Sequence, residues 1–94
     1  MTGSPDVVII GGGVIGCSAL FYLSELGVTS PLLLERATLA SGSTGRSMGI
    51  LRMHYSNEVC VRMAHESRRI IAEFESVTGS PGGFVRTGYL FLVG

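Results

Sequence analysis

The sequence predicts an α/β protein that opens with a parallel β-α-β unit, and three observations carry that prediction. Val7 to Ile10 is an apolar, β-branched run of the kind a buried parallel strand needs. It breaks into three consecutive glycines in the register Gly11-x-Gly13-x-x-Gly16, followed by residues suited to a helix. A second apolar run, residues 32–34, ends in Glu35, nineteen residues past Gly16.

Each glycine meets its own physical demand: a tight strand-to-helix turn, room for a pyrophosphate to touch the backbone, and close helix-on-strand packing. The free N–H groups and dipole at the new helix's start face an anion. A carboxylate at Glu35 accepts hydrogen bonds from both hydroxyls of an adenosine ribose. In a chain with 14 glycines the spacing alone is weak. The preceding strand, following helix and placed acid make it a strong sign of a Rossmann-like dinucleotide site. A membrane segment is the rival reading, since residues 7–24 carry no charge. Three central glycines would cost such a helix about 3 kcal/mol against alanine, and no Lys or Arg flanks the run.

Ninety-four residues is one small domain, and the composition is globular. Seven basic residues balance seven acidic ones, and Arg62, Arg68 and Arg69 are interleaved with glutamates, which argues against a nucleic-acid partner. Cys17 and Cys60 have no metal or redox spacing and read as reduced, buried small hydrophobes of a cytoplasmic protein. His54 and His65 lack partner ligands, so no metal site is expected. The first five residues show no secretory pattern. A doubly wound sheet needs a third strand, and none follows Glu35 in the expected place. The chain therefore reads as incomplete on its own, a fragment or a subunit completed by another chain.

The first helix is predicted over residues 14–26, closed by Gly27, with Pro31 opening the second strand. Residues 41–49 are dense in Gly, Ser and Thr, a loop able to wrap something closely, with Ser43, Thr44 and Ser47 as hydroxyl donors. The plain alternative is an ordinary surface connection. Ser43 or Thr44 is expected to cap a short helix, giving a second anion-facing terminus, and Arg46 adds charge.

Residues 57–77 read as one amphipathic helix spanning roughly 30 Å. Its core stripe is Val59, Met63, Ile70, Phe74 and Val77, and its i,i+4 ion pairs are Glu58/Arg62, Arg62/Glu66 and Arg69/Glu73. Ser56 or Asn57 caps its start and Gly79 its end. After the turn at residues 80–83, residues 84–86 and the apolar run 89–93 suggest two short strands beginning a new sheet.

The glycine motif does not separate NAD from FAD, which share an ADP half. Glu35 opposes NADP by repelling a 2′-phosphate, although Arg36 weakens that repulsion. A nicotinamide enzyme would go straight into another helix and strand after Glu35. The second Gly/Ser/Thr loop instead suits the longer FAD.

The run from Glu35 to Arg52, ER-x5-SGSTGRS-x-G-I-L-R, resembles the FAD-dependent D-amino-acid oxidase superfamily. Within it the likeness is to the sarcosine oxidase, dimethylglycine dehydrogenase, glycine oxidase and flavin-dependent L-proline dehydrogenase group. The resemblance covers nearly all 94 residues and corresponds to the first quarter or so of such an enzyme. It implies that residues 1–79 are the N-terminal part of an FAD-binding domain, and that residues 80–94 are the first strands of a second, substrate-side sheet.

The resemblance further implies that Gly11, Gly13 and Gly16, with the amides of Val14 and Ile15, hold the pyrophosphate. Glu35 would bind the ribose and Arg36 line the adenine side. Ser43, Thr44, Arg46 and the neighbouring Ser47 would lie along the ribityl and flavin end. The loop histidine that carries flavin covalently in dimethylglycine dehydrogenase falls at Arg46, so a covalent histidyl flavin finds no support. Arg52 and Tyr55 either approach the flavin or pack a turn, and packing is preferred. The implied reaction is oxidation of a C–N bond in a secondary amine or amino acid. No catalytic residue is implied within this chain. A non-catalytic FAD-binding subunit and, more weakly, an NAD-dependent dehydrogenase fragment are the alternatives.

Overall fold

The structure, a computed structural model, describes residues 3–94, which divide into two compact units, one ending at Gly49 and the other spanning Ile50–Gly94. The first unit holds β1 (Val7–Ile10), α1 (Val14–Glu25) and β2 (Pro31–Leu34). The strands are parallel, pairing Val7 with Pro31 and Ile10 with Leu34, and α1 packs on both. This is the β-α-β opening read from the sequence.

Residues alternate along β1 because successive side chains point to opposite faces. Val7 and Ile9 turn toward α1 and are half-buried, whereas Val8 and Ile10 face away and are exposed. Ile10 is 87% exposed, so the far side of the sheet has no cover among the described residues. α1 carries apolar residues on several faces, which leaves Val14 and Ile15 exposed while Leu20, Phe21 and Leu23 are half-buried.

α1 stops one residue short of the predicted end. Gly27 (φ +99°) donates to the Ser24 carbonyl at 3.1 Å and Val28 to the Leu23 carbonyl at 3.0 Å, the Schellman pattern that satisfies two terminal carbonyls. After β2 the chain runs through a single 3-10 turn, Thr44–Arg46. Ser43 holds the cap position there, but its side chain makes no cap bond. Three residues align too few peptide dipoles for the second anion-facing terminus expected of this loop.

The second unit contains α2 (Glu58–Ala72) and α3 (Phe74–Thr78). The expected single helix is thus divided at Glu73, whose φ −102° and ψ 25° leave the helical region. Hydrogen bonds from Glu73 to Arg69 and from Val77 to Glu73 still cross the break. Close by, the returning chain sets Gly82 against Phe74, where an added Cβ would lie 2.6 Å from the Phe74 Cβ.

Asn57 caps α2 by accepting from the Val59 and Cys60 amides at 2.8 and 3.3 Å. Glu58 meets Arg62 at 3.9 Å and Arg69 meets Glu73 at 3.4 Å. The expected Arg62/Glu66 pair gives way to a contact between Glu66 and Arg69. Gly79 (φ +82°) ends α3.

The predicted stripe is only partly covered, with Ile70, Phe74 and Val77 half-buried but Val59 and Met63 exposed. Cys60 is exposed as well and Cys17 half-buried, against the expectation of two buried thiols. Residues 81–94 carry no strand. A strand's N–H and C=O groups bond to a neighbouring strand, and no described residue supplies one to this segment. Its rings pair instead, Tyr89 with Phe91 inside the segment and Phe91 with His54 ahead of α2. No helix among the described residues is long and apolar enough to cross a membrane.

Candidate functional site

The first unit contains a cleft of about 650 Å³ at the C-terminal ends of its two strands. Its floor is the glycine turn between β1 and α1. Glu35, just past β2, forms one side, and residues of the 41–47 loop form the other. Ligands of open α/β sheets bind at this end of the strands.

The turn depends on glycine in two different ways. Gly11 has φ +116°, a conformation that L side chains rarely adopt, and the space beside it is open. Gly16 is needed for room: a Cβ there would stand 1.9 Å from the Gly11 carbonyl oxygen. Only without it can the first turn of α1 press so closely on the end of β1. The helix's N-cap is Gly13, which has no side chain to cap with, so the first-turn amides depend on other partners. Thr44 meets one of them, its Oγ1 accepting from the Val14 N–H at 3.0 Å. The Ile15 N–H bonds to no group among the described residues.

Glu35 reaches back over the turn. Its Oε1 accepts from the Gly12 N–H at 3.0 Å and its Oε2 from the Ala37 N–H at 2.8 Å. These donors favour the ionised form, the Ala37 amide most and the Gly12 amide next. With a smaller contribution from Arg36, they hold the carboxyl below its ordinary range.

Of the residues expected at the site, Gly11, Gly13, Val14, Ile15, Gly16, Glu35, Ser43, Thr44 and Ser47 line this one cleft. Arg36 and Arg46 do not line it: Arg36 follows Glu35 in sequence and Arg46 ends the 3-10 turn. In the second unit, Arg52 stacks its guanidinium over the Tyr55 ring at 4.8 Å, the packing arrangement preferred for that pair.

Sequence reasoning missed Gly12, the buried residue at the centre of the turn, and Ala40, whose N–H donates to the Gly12 carbonyl at 2.9 Å. Three adjacent glycines were a signal for the first. Ala40 holds a left-handed φ of 60°, which nothing in an alanine announces.

The arrangement fits the ADP half of FAD. A floor without side chains lets a diphosphate approach the backbone, and the start of a twelve-residue helix faces it. Glu35 keeps acceptor capacity beyond its two amide bonds, because a carboxylate offers about four lone-pair sites.

Comparison with known proteins agrees with this geometry. Human sarcosine dehydrogenase, mitochondrial, is 39% identical over 88 residues, covering 93% of this chain and 10% of that protein. A mouse protein, the mitochondrial pyruvate dehydrogenase phosphatase regulatory subunit, is 40% identical over 87 residues, with the same coverage of each. Human dimethylglycine dehydrogenase, mitochondrial, is 30% identical over 87 residues, again 93% of this chain and 10% of its own length. The chain thus spans about a tenth of the length of these relatives. No solved structure matches significantly. The profile of the family described as FAD dependent oxidoreductase matches residues 6–94, from β1 through the glycine turn and Glu35 to the last residue, and the chain belongs to that family.

Proposed function

We propose that the chain forms the ADP-holding part of a flavoprotein that oxidises the C–N bond of a secondary amine or amino acid. Further sequence or a partner chain completes it. The observation that carries this reading is the convergence of the glycine turn, Glu35 and the 41–47 loop on one cleft in a chain of an FAD-dependent family. Relatives named for sarcosine and dimethylglycine support the substrate class.

FAD, once bound, supplies the two-electron acceptor for the amine. The chain's own residues bind and orient it. Gly11, Gly13 and Gly16 admit the diphosphate to the backbone, where the Ile15 amide donates directly. The Val14 amide acts through Thr44, whose hydroxyl accepts from it and still has its own proton to donate. Glu35 accepts from the ribose hydroxyls, with Arg36 on the adenine side. Ser43, Arg46 and Ser47 extend toward the ribityl chain. In the completed protein, residues 80–94 open the substrate-side sheet, a role supported by their run of exposed apolar residues from Tyr89 to Val93. The free thiols Cys17 and Cys60 suit a reducing compartment, either the cytoplasm or the mitochondrion named for the relatives.

A second reading is favoured by one observation, the match to a regulatory subunit. Here the chain belongs to a protein that binds FAD without turning over an amine. Anaerobic addition of sarcosine or dimethylglycine to the flavin-loaded, completed protein separates the two. Bleaching of the flavin supports the oxidoreductase. Flavin that stays yellow with every N-methyl amino acid supports the non-catalytic subunit, and failure to retain flavin overturns both.

A further inference from the structure

We infer that Glu35 is a positioning residue for the glycine turn: its carboxylate fixes the Gly12 peptide before any cofactor arrives, so the diphosphate seat exists independently of the ribose. This deepens the ADP-site reading and rests on it for the ligand, though not for the turn itself.

Gly12 is gripped on three sides. Its N–H donates to Glu35 Oε1 at 3.0 Å. Its carbonyl accepts from the Ala40 N–H at 2.9 Å and from the Cys17 thiol at 3.6 Å. Its α-carbon lies under Leu39 and the Glu35 stem, where an added Cβ would come within 2.7 Å of Leu39 Cδ2 and 3.0 Å of Glu35 Cγ. It is the one buried residue among those described, so its N–H needs a protein acceptor.

The same carboxylate takes the Ala37 N–H at 2.8 Å, which sets the bend where the chain leaves β2. One side chain thereby ties the exit of β2 to the exit of β1, twenty-three residues earlier. Its amide donors also favour the ionised form that this work requires. Two of roughly four lone-pair sites are used, leaving two for a ribose diol. Fixing the turn and recognising the sugar are therefore compatible.

The two roles predict opposite effects on a ligand with no sugar. If Glu35 served only the ribose, removing its negative charge would leave inorganic pyrophosphate binding unchanged or tighter, since like charges repel. If it holds the turn, pyrophosphate binding weakens despite the relief of repulsion.

The test uses the flavin-free protein in its full-length form, with Glu35→Ala and Glu35→Gln. The expected result for Glu35→Ala is Gly12 amide hydrogen exchange faster by about tenfold or more, with weaker binding of pyrophosphate as well as ADP. Glu35→Gln keeps the side chain's shape and one acceptor oxygen, and carries the test if the alanine variant does not fold. Its amide nitrogen cannot accept, so one of the bonds from Gly12 and Ala37 is lost, and pyrophosphate affinity should still fall, by less than in Glu35→Ala. Unchanged Gly12 exchange in Glu35→Ala, or unchanged or tighter pyrophosphate binding beside weaker ADP binding, overturns the inference. Wild-type protein that binds neither ligand overturns the ADP-site reading instead, and Gly12 exchange then decides the positioning role alone.

Discussion

Gly16 and Gly13 belong to one motif yet make room for different things, and substitution should separate them. A Cβ at Gly16 meets backbone, the Gly11 carbonyl oxygen at 1.9 Å, which cannot move without opening the turn. Gly16→Ala is expected to cost about 3 kcal/mol or more and to abolish flavin retention, as thermal melting and bound-flavin absorbance would show. A Cβ at Gly13 meets the Thr44 hydroxyl at 2.9 Å, a side-chain atom that can rotate away. Gly13→Ala should fold, with a smaller melting shift and weakened rather than abolished flavin binding. Glu35 gives a pH signature. Its carboxyl is lowered in the folded protein, so its contribution to stability is complete above the ordinary value of 4.5 and is lost as pH falls through the lower folded value. The melting difference between wild type and Glu35→Gln should hold steady above 4.5 and shrink at more acid pH. These roles were only half legible in the sequence. The glycine spacing and the acid could be read because their demands are local, whereas the Glu35 bond to Gly12 and the Thr44 bond to Val14 join residues 23 and 30 apart.

Among the elements, β1, α1 and β2 were readable because each is announced by its own run of residues: β-branched side chains, a glycine turn, a proline start. Gly27 signalled the end of α1, which falls one residue before the predicted stop. The division of the later helix at Glu73 was not readable, since residues 70–77 contain neither glycine nor proline. The strands expected over residues 84–93 show the converse: their pattern is visible, but a strand forms only beside another. For α2, the start depends on one side chain. Asn57 satisfies two of the first-turn amides, so Asn57→Ala should cost about 1 kcal/mol, read as a lower melting temperature and reduced helical circular dichroism. Asn57→Asp, which keeps the acceptor, should restore most of that loss.

For the molecule as a whole, the decisive quantity is apolar surface left open. No hydrophobic side chain among the described residues is fully buried, and Ile10, Ile15 and Leu92 are each more than four-fifths exposed. Small domains are stabilised by burying such groups, at roughly 1.5–3 kcal/mol for a large aliphatic side chain. The isolated 94-residue chain is therefore expected to melt without a cooperative transition and to bind a hydrophobic dye, and a sharp calorimetric peak would contradict this. The sheet has a further property. With only two strands among the described residues, β1 and β2 each keep one outer rim of unsatisfied ladder groups beside bare aliphatic side chains. Such rims recruit one another, so copies at high concentration should stack edge to edge. For anyone producing this chain by itself, precipitation rather than heat sets the practical ceiling, and a lysine on the bare face of β1 is the first remedy to try.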